Sequence, residues 1–129
     1  KLGLKNVYFL PPVSEQTKFR LIDACKIFVV PSILDYTPVT VIEAQAMGKP
    51  VISTHTGAIF ELVRGNETGI LVEPQNVEAL AEAIRRLILN KEKRLAMGDK
   101  AYSWIIENFS MDDVVDRLEE IYSSILLTA

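Results

Sequence analysis

An α/β fold, with a parallel sheet covered by helices on both faces, is what this sequence predicts, and three observations predict it. Short apolar runs at Asn6–Leu10, Lys26–Val30, Val51–Thr54 and Ile70–Val72 alternate with segments of helical pattern. The runs are continuous rather than alternating, which marks strands buried on both faces. The first, second and fourth run into prolines (Pro11-Pro12, Pro31, Pro74) and the third into Gly57. The loops after Leu10, Val30 and Thr54 then share the carboxyl edge of the sheet, where ligands of such folds sit.

Taken in order, Val7–Leu10 reads as a buried strand stopped by Pro11-Pro12. Ser14 suits the N-cap of a helix from Glu15 to about Cys25, with Phe19, Leu21, Ile22 and Ala24 on its apolar face. Lys26–Val30 is the second strand. The next helix is expected to have Thr37 as N-cap, Pro38 at its first position and Gly48 as the left-handed residue after its last turn, before Pro50. Its residues are mostly apolar: Val39, Val41, Ile42, Ala44, Ala46 and Met47.

Val51–Thr54 is the third strand, followed by a loop through Gly57 and a short helix from about Ile59 to Val63. Arg64–Gly69 has turn chemistry and Ile70–Val72 is the fourth strand. Asn76 caps an amphipathic helix with Val77, Leu80, Ala81, Ile84, Leu87 and Ile88 at helical spacing. A helix over about 91–107 carries Trp104 and Ile105 on its apolar side. Ser110 caps a last helix with Val114, Leu118, Ile121, Tyr122 and Ile125 in one stripe. These three read as packing elements, and Cys25 and Met97 as core residues.

Composition excludes several classes. With 129 residues, 49% hydrophobic and 24% charged, the chain is one globular domain with enough apolar residues for a core. A net charge of −3 argues against nucleic acid as the partner. No apolar run approaches the roughly 20 residues of a membrane-spanning helix, and the start does not read as a signal peptide. One cysteine cannot form an internal disulfide and fits the cytoplasm. One histidine and one cysteine do not make a metal site.

The chemistry concentrates in Pro31–Gly48. A helix start offers unpaired N–H groups and partial positive charge, which suit phosphate. Pro38 has no N–H, so the candidate donors are Val39, Thr40 and Val41. Glu43 lies one turn below Val39 and Thr40 on the same face, where a carboxylate can accept from two neighbouring hydroxyls, as on a ribose. Asp35, ahead of the helix, can do the same for a sugar ring. The plainer alternative makes Asp35 a loop acid favoured by the helix dipole and Glu43 a solvated residue. Glu43 does not stand at the capping-box position, which is Thr40. His55, the one histidine, reads more readily as a loop residue than as a substrate contact.

Asp35-x7-Glu43 followed by Ala-Gln-Ala-Met-Gly-Lys-Pro-Val resembles the Glu-x7-Glu region of family 4 retaining glycosyltransferases with the GT-B fold. The likeness extends to Leu2-Gly-Leu-Lys-Asn-Val7, Pro50-Val-Ile-Ser-Thr54, Gly57-Ala-Ile-Phe-Glu61 and Glu67-Thr-Gly-Ile-Leu-Val72, so it covers almost the whole chain. Two residues depart from the pattern: Asp35 is one methylene shorter than the usual Glu, and Tyr36 stands where a small residue is common.

The resemblance implies a Rossmann-like donor-binding domain and glycosyl transfer from a nucleotide-diphosphate sugar with retention. Glu43 and Asp35 are then the catalytic acids, with Glu43 holding the ribose and Asp35 the sugar hydroxyls. Val13, in the turn after the first strand, approaches the nucleobase, and Thr37, Val39 and Thr40 bind the diphosphate. Gly57 lies beside the sugar, near Glu61. No cofactor and no bound metal are implied, the nucleotide sugar being the donor substrate. The acceptor, a sugar, a lipid-linked or a small molecule, is expected on an N-terminal domain upstream of Lys1, which also leaves peripheral membrane association open. The chain thus resembles the C-terminal part (1–129) of the nucleotide-sugar-binding domain, a fragment or split gene product inactive alone. A non-catalytic partner subunit and a nucleotide-sugar epimerase of the same architecture remain as alternatives.

The resemblance also makes an expectation for the sheet. In the order 3-2-1-4-5-6, Val7–Leu10 is strand 3 and the three later runs are strands 4 to 6, with Val51–Thr54 interior. Strands 1 and 2 precede Lys1. Val7–Leu10 is therefore expected to pair with the exposed edge of strand 4, to have its gap filled by another chain, or to stand as in a piece of a larger structure.

Overall fold

A computed structural model describes residues 4–36 and 38–128. The elements run α1 (Glu15–Ala24), β1 (Phe28–Val30), α2 (Val39–Ala46), β2 (Val51–Thr54), α3 (Ile59–Leu62), β3 (Gly69–Val72), α4 (Val77–Leu89), α5 (Lys91–Asn108) and α6 (Met111–Thr128). The strands form one parallel sheet in the order β1-β2-β3, with Val29 opposite Ile52 and Ile52 opposite Ile70. β2 is interior, as expected, and buried at all four positions. Its side chains alternate between the two layers. Val51 joins Ile22, Val41, Ala44, Ile59 and Leu62 on the side of α1, α2 and α3. Ile52 joins Ile70, Ala83, Leu87 and Met97 on the side of α4 and α5.

Helix ends follow the local signals closely. Ser14, Asn76 and Asn90 accept from Thr17, Ala79 and Lys93 N–H groups at the starts of α1, α4 and α5. Ser110 accepts from Asp113 N at 3.2 Å ahead of α6. Gly48 ends α2 at φ +67, where an L side chain is disfavoured.

Four expectations are corrected. Val7–Leu10 is not a strand: among the described residues it pairs with nothing, it is exposed, and Phe9 is 94% accessible. The sheet therefore has three strands among the described residues, not four. An apolar run becomes a strand only where an edge accepts its backbone groups, and burying them unpaired costs about 1–3 kcal/mol each. Pro38 is the N-cap of α2 and not its first helical residue, since its ψ of 75° is not helical. Thr37, expected to be that cap, lies outside the described residues. Cys25 is half-buried at the C-cap of α1 rather than in the core, and burial pushes its thiol up from the ordinary range. Met97 is a core residue, as expected.

The helices also bury less than their patterns promise. Of the α1 face only Ile22 is buried, while Val77 and Ile88 of α4 are exposed. The α6 stripe of Val114, Leu118, Ile121, Tyr122 and Ile125 is exposed rather than packed. Among the described residues no helix is long and apolar enough to cross a membrane.

α2 and α5 meet at two glycines. A Cβ built on Gly98 would stand 2.2 Å from the Gly48 carbonyl oxygen, a backbone atom that cannot step aside alone. Gly98→Ala gains about 1 kcal/mol of helix propensity. The overpacking costs about 1–3 kcal/mol and is expected to win because its neighbour is backbone. A lowered Tm in the intact protein is the expected result, and a raised Tm would mean the helices part without cost.

Candidate active site

The site forms where β1 and β2 end. The last residue of β1 and the segment leaving it, residues 31–36, are tied down by two hydroxyls at the end of β2. Ser53 Oγ donates to the Val30 carbonyl at 2.7 Å, and Thr54 Oγ1 donates to the Ser32 carbonyl. Both residues are buried. Gly57, at φ +52, presses against the same segment, so that a Cβ there would lie 1.8 Å from the Asp35 carbonyl oxygen. The loops after β1 and β2 are therefore one packed unit, which fixes the backbone at Asp35. The Asp35 residue is itself half-buried.

α2 begins beside that unit. Val41 N donates to the Pro38 carbonyl at 2.8 Å, which leaves the N–H groups of Val39 and Thr40 as the outer donors of the helix start. Both residues are exposed, whereas Val41 and Ala44 on the same helix are buried in the core. The helix thus hangs by its inner face, and among the described residues no acceptor engages the Val39 and Thr40 amides.

Glu43 is held in a way the sequence did not indicate. Lys18, on α1, donates from Nζ to Glu43 Oε1 at 2.6 Å. The other oxygen, Oε2, is buried and has no hydrogen-bond partner among the described residues. The Glu43 side chain is 18% accessible, so it is not the solvated helix residue of the plainer alternative. A buried carboxylate oxygen without a donor is costly in a finished core and is suited to a ligand that brings hydrogen.

The other sequence candidates fall out unevenly. Val13 is exposed one residue before the α1 cap, and among the described residues no hydrogen bond engages its backbone. His55 is an exposed loop residue: its N–H continues the ladder to the Val72 carbonyl at 2.9 Å and its ring lies 6.0 Å from that of Phe60. Glu61 is exposed on α3. Sequence reasoning missed Lys18, Ser53 and Thr54. The signal for the last two was present, as two hydroxyl residues closing a buried strand; for Lys18 there was none.

The family model for glycosyl transferases group 1 matches residues 1–104. The chain belongs to that family. Its match ends within α5, so most of α5 and every element before it are family structure, and α6 is not covered. Among curated relatives of this glycosyltransferase domain is a D-inositol 3-phosphate glycosyltransferase of Corynebacterium jeikeium. It is 32% identical over 126 residues, covering 97% of this chain and 30% of the relative. The protein of the same description from Rhodococcus jostii is 37% identical, covering 91% of this chain and 26% of the relative. The chain thus spans about a third or less of the length of these relatives.

Solved structures agree on the fold. Sucrose-phosphate synthase from Thermosynechococcus elongatus superposes with a TM-score of 0.86 at 26% identity, over 95% of this chain and 31% of the other. Anabaena HepE, solved in complex with UDP, gives a TM-score of 0.78 at 25% identity, over 81% of this chain and 29% of the other. The Rossmann-like sheet of a GT-B glycosyltransferase is therefore the architecture here.

Proposed function

We propose that residues 1–129 supply the donor-binding half of a retaining glycosyltransferase that uses a nucleotide-diphosphate sugar. The observation that carries this reading is the buried Oε2 of Glu43, without a partner among the described residues, one turn below the Val39 and Thr40 amides at the start of α2. One carboxylate oxygen awaits a hydroxyl donor while two backbone donors await an anion, which matches a ribose joined to a diphosphate. Family membership and the UDP and UDP-glucose complexes of HepE support the same ligand class.

In this reading Glu43 accepts from the ribose hydroxyls. The Val39 and Thr40 amides take the diphosphate, a role shared by Thr37. Val13 borders the base. Asp35 accepts from hydroxyls of the sugar, and Gly57 closes the other side of the sugar pocket. Transfer breaks the bond between the anomeric carbon and the diphosphate oxygen and forms one to an acceptor hydroxyl, whose proton passes to the leaving diphosphate oxygen. Configuration is retained. The leaving diphosphate gains charge as the bond breaks, and fixed amides at a helix start stabilise that charge more than the bound donor. The acceptor site, with any membrane association, belongs to residues outside 1–129, and the single free cysteine suits a cytoplasmic enzyme.

Two measurements on the intact protein test the reading. Thermal shift with UDP, GDP, ADP and their hexose conjugates is expected to show one nucleotide series raising Tm; no shift with any would sink the donor assignment. Asp35→Ala is expected to leave the affinity for the free diphosphate within about twofold and to lower that for the nucleotide sugar by about tenfold, one charged hydrogen bond's worth. Equal loss for both ligands would place Asp35 on the wrong side of the phosphates.

A further inference from the structure

Glu43 sits on α2 and, among the described residues, its side chain's polar partner is on α1, 25 positions earlier in the chain. Such a pairing has consequences for the carboxylate. It holds one oxygen at 2.6 Å from an ammonium and thereby leaves the other at a fixed place, buried and without a donor. A Glu side chain on a helix otherwise has several rotamers open to it, and those that carry it to water compete with the one turned inward. The ammonium also compensates a carboxylate that is largely out of solvent. Lys18 itself stays 30% accessible, so it is anchored from the surface and not buried with its partner.

We propose that Lys18 is a positioning residue for the donor nucleotide, acting through Glu43. This rests on the assignment of Glu43 to the ribose. Lys18 occupies Oε1, so the ligand's vicinal hydroxyls are read by Oε2, the oxygen left without a partner. The contact then discriminates: a 2′-hydroxyl gives the buried anionic oxygen the donor it lacks, a gain that a 2′-deoxy sugar cannot make and that is full only while Glu43 is held in place. Lys18 thus sets the preference for ribose over 2′-deoxyribose without touching the nucleotide.

The test uses the intact protein and calorimetric affinities for UDP, GDP and ADP, continued with the tightest of the three and its 2′-deoxy counterpart. Lys18→Met is expected to weaken the ribonucleotide by about five- to tenfold, the size of a coupled polar pair, and to leave the deoxynucleotide within about twofold, so that the preference collapses. Lys18→Arg is expected to restore most of it. Lys18→Met combined with Glu43→Gln should be no worse than Glu43→Gln alone. A preference unchanged in Lys18→Met at unchanged Tm overturns the proposal, and so does a rise in ribonucleotide affinity, which would make Lys18 a competitor of the ligand. If methionine lowers Tm, Lys18→Gln repeats the comparison without the added apolar surface. The two assignments fail separately. Unchanged affinity in Glu43→Gln removes the ribose contact and this proposal with it. A loss in Glu43→Gln beside an unaffected Lys18→Met removes the role of Lys18 alone.

Discussion

Glu43→Gln in the intact protein is expected to weaken nucleotide binding about tenfold or more with little change in Tm. The amide keeps the shape of the side chain. It removes the charge shared by Oε2, assigned above to the ribose, and by Oε1, which Lys18 holds at 2.6 Å. A hydrogen bond to a charged group is worth about 1.5–3 kcal/mol, which corresponds to roughly tenfold or more in affinity. Stability should move far less, because the Lys18 pair is partly exposed and such pairs contribute about 0–1 kcal/mol. Among the described residues Oε2 has no donor whose bond would be lost. Free diphosphate and nucleotide sugar should suffer alike, since both carry the ribose. Affinities equal to those of the unaltered protein for both ligands would rule the assignment out.

A larger effect is expected at Gly57, where the cause is geometric. Its φ of +52 is a conformation that side chains disfavour, and a Cβ would meet the Asp35 carbonyl oxygen at 1.8 Å. Neither atom belongs to a flexible side chain, so Gly57→Ala must move one loop away from the other. The segment cannot retreat freely, being pinned by Ser53 and Thr54 at its start. Displacement therefore falls on Asp35. A misplacement of about 1 Å costs on the order of a hundredfold in a positioned reaction, and a loss of sugar transfer of that size is the expected outcome. Binding of the free diphosphate should survive better, since α2 is held by Val41 and Ala44 in the core. A Gly57→Ala protein that transfers sugar at an undiminished rate would show that the two loops are not one unit.

Much of this was legible along the chain because its causes are local. Ser14, Asn76 and Ser110 cap helices through amides three residues away, and Gly48 and Pro50 end α2 through their own backbone angles. Continuous apolar runs placed β1, β2 and β3, and with them the parallel sheet and the edge that carries Asp35, Gly57 and the start of α2. Glu43 could be singled out through the resemblance of Asp35-x7-Glu43 to the family's Glu-x7-Glu region, since the residues alone left a solvated helix residue equally open.

What the tertiary structure alone decided depends on residues brought together from afar. Val7–Leu10 carries the same pattern as β1, but a strand needs an edge to pair with, and among the described residues none meets it. The stripe on α6 has correct helical spacing, yet periodicity states which residues share a face and not whether another element covers it. Lys18 reaching Glu43, Thr54 reaching Ser32 and Gly57 lying on Asp35 are contacts between segments about 22 or more positions apart. Sequence determined the elements and the edge they share, since hydrogen bonding and burial within a short stretch are enough to favour a helix or a strand. The state of the site, one Glu43 oxygen held by Lys18 and the other left for a ligand, arises only when α1 packs beside α2 on the same face of the sheet.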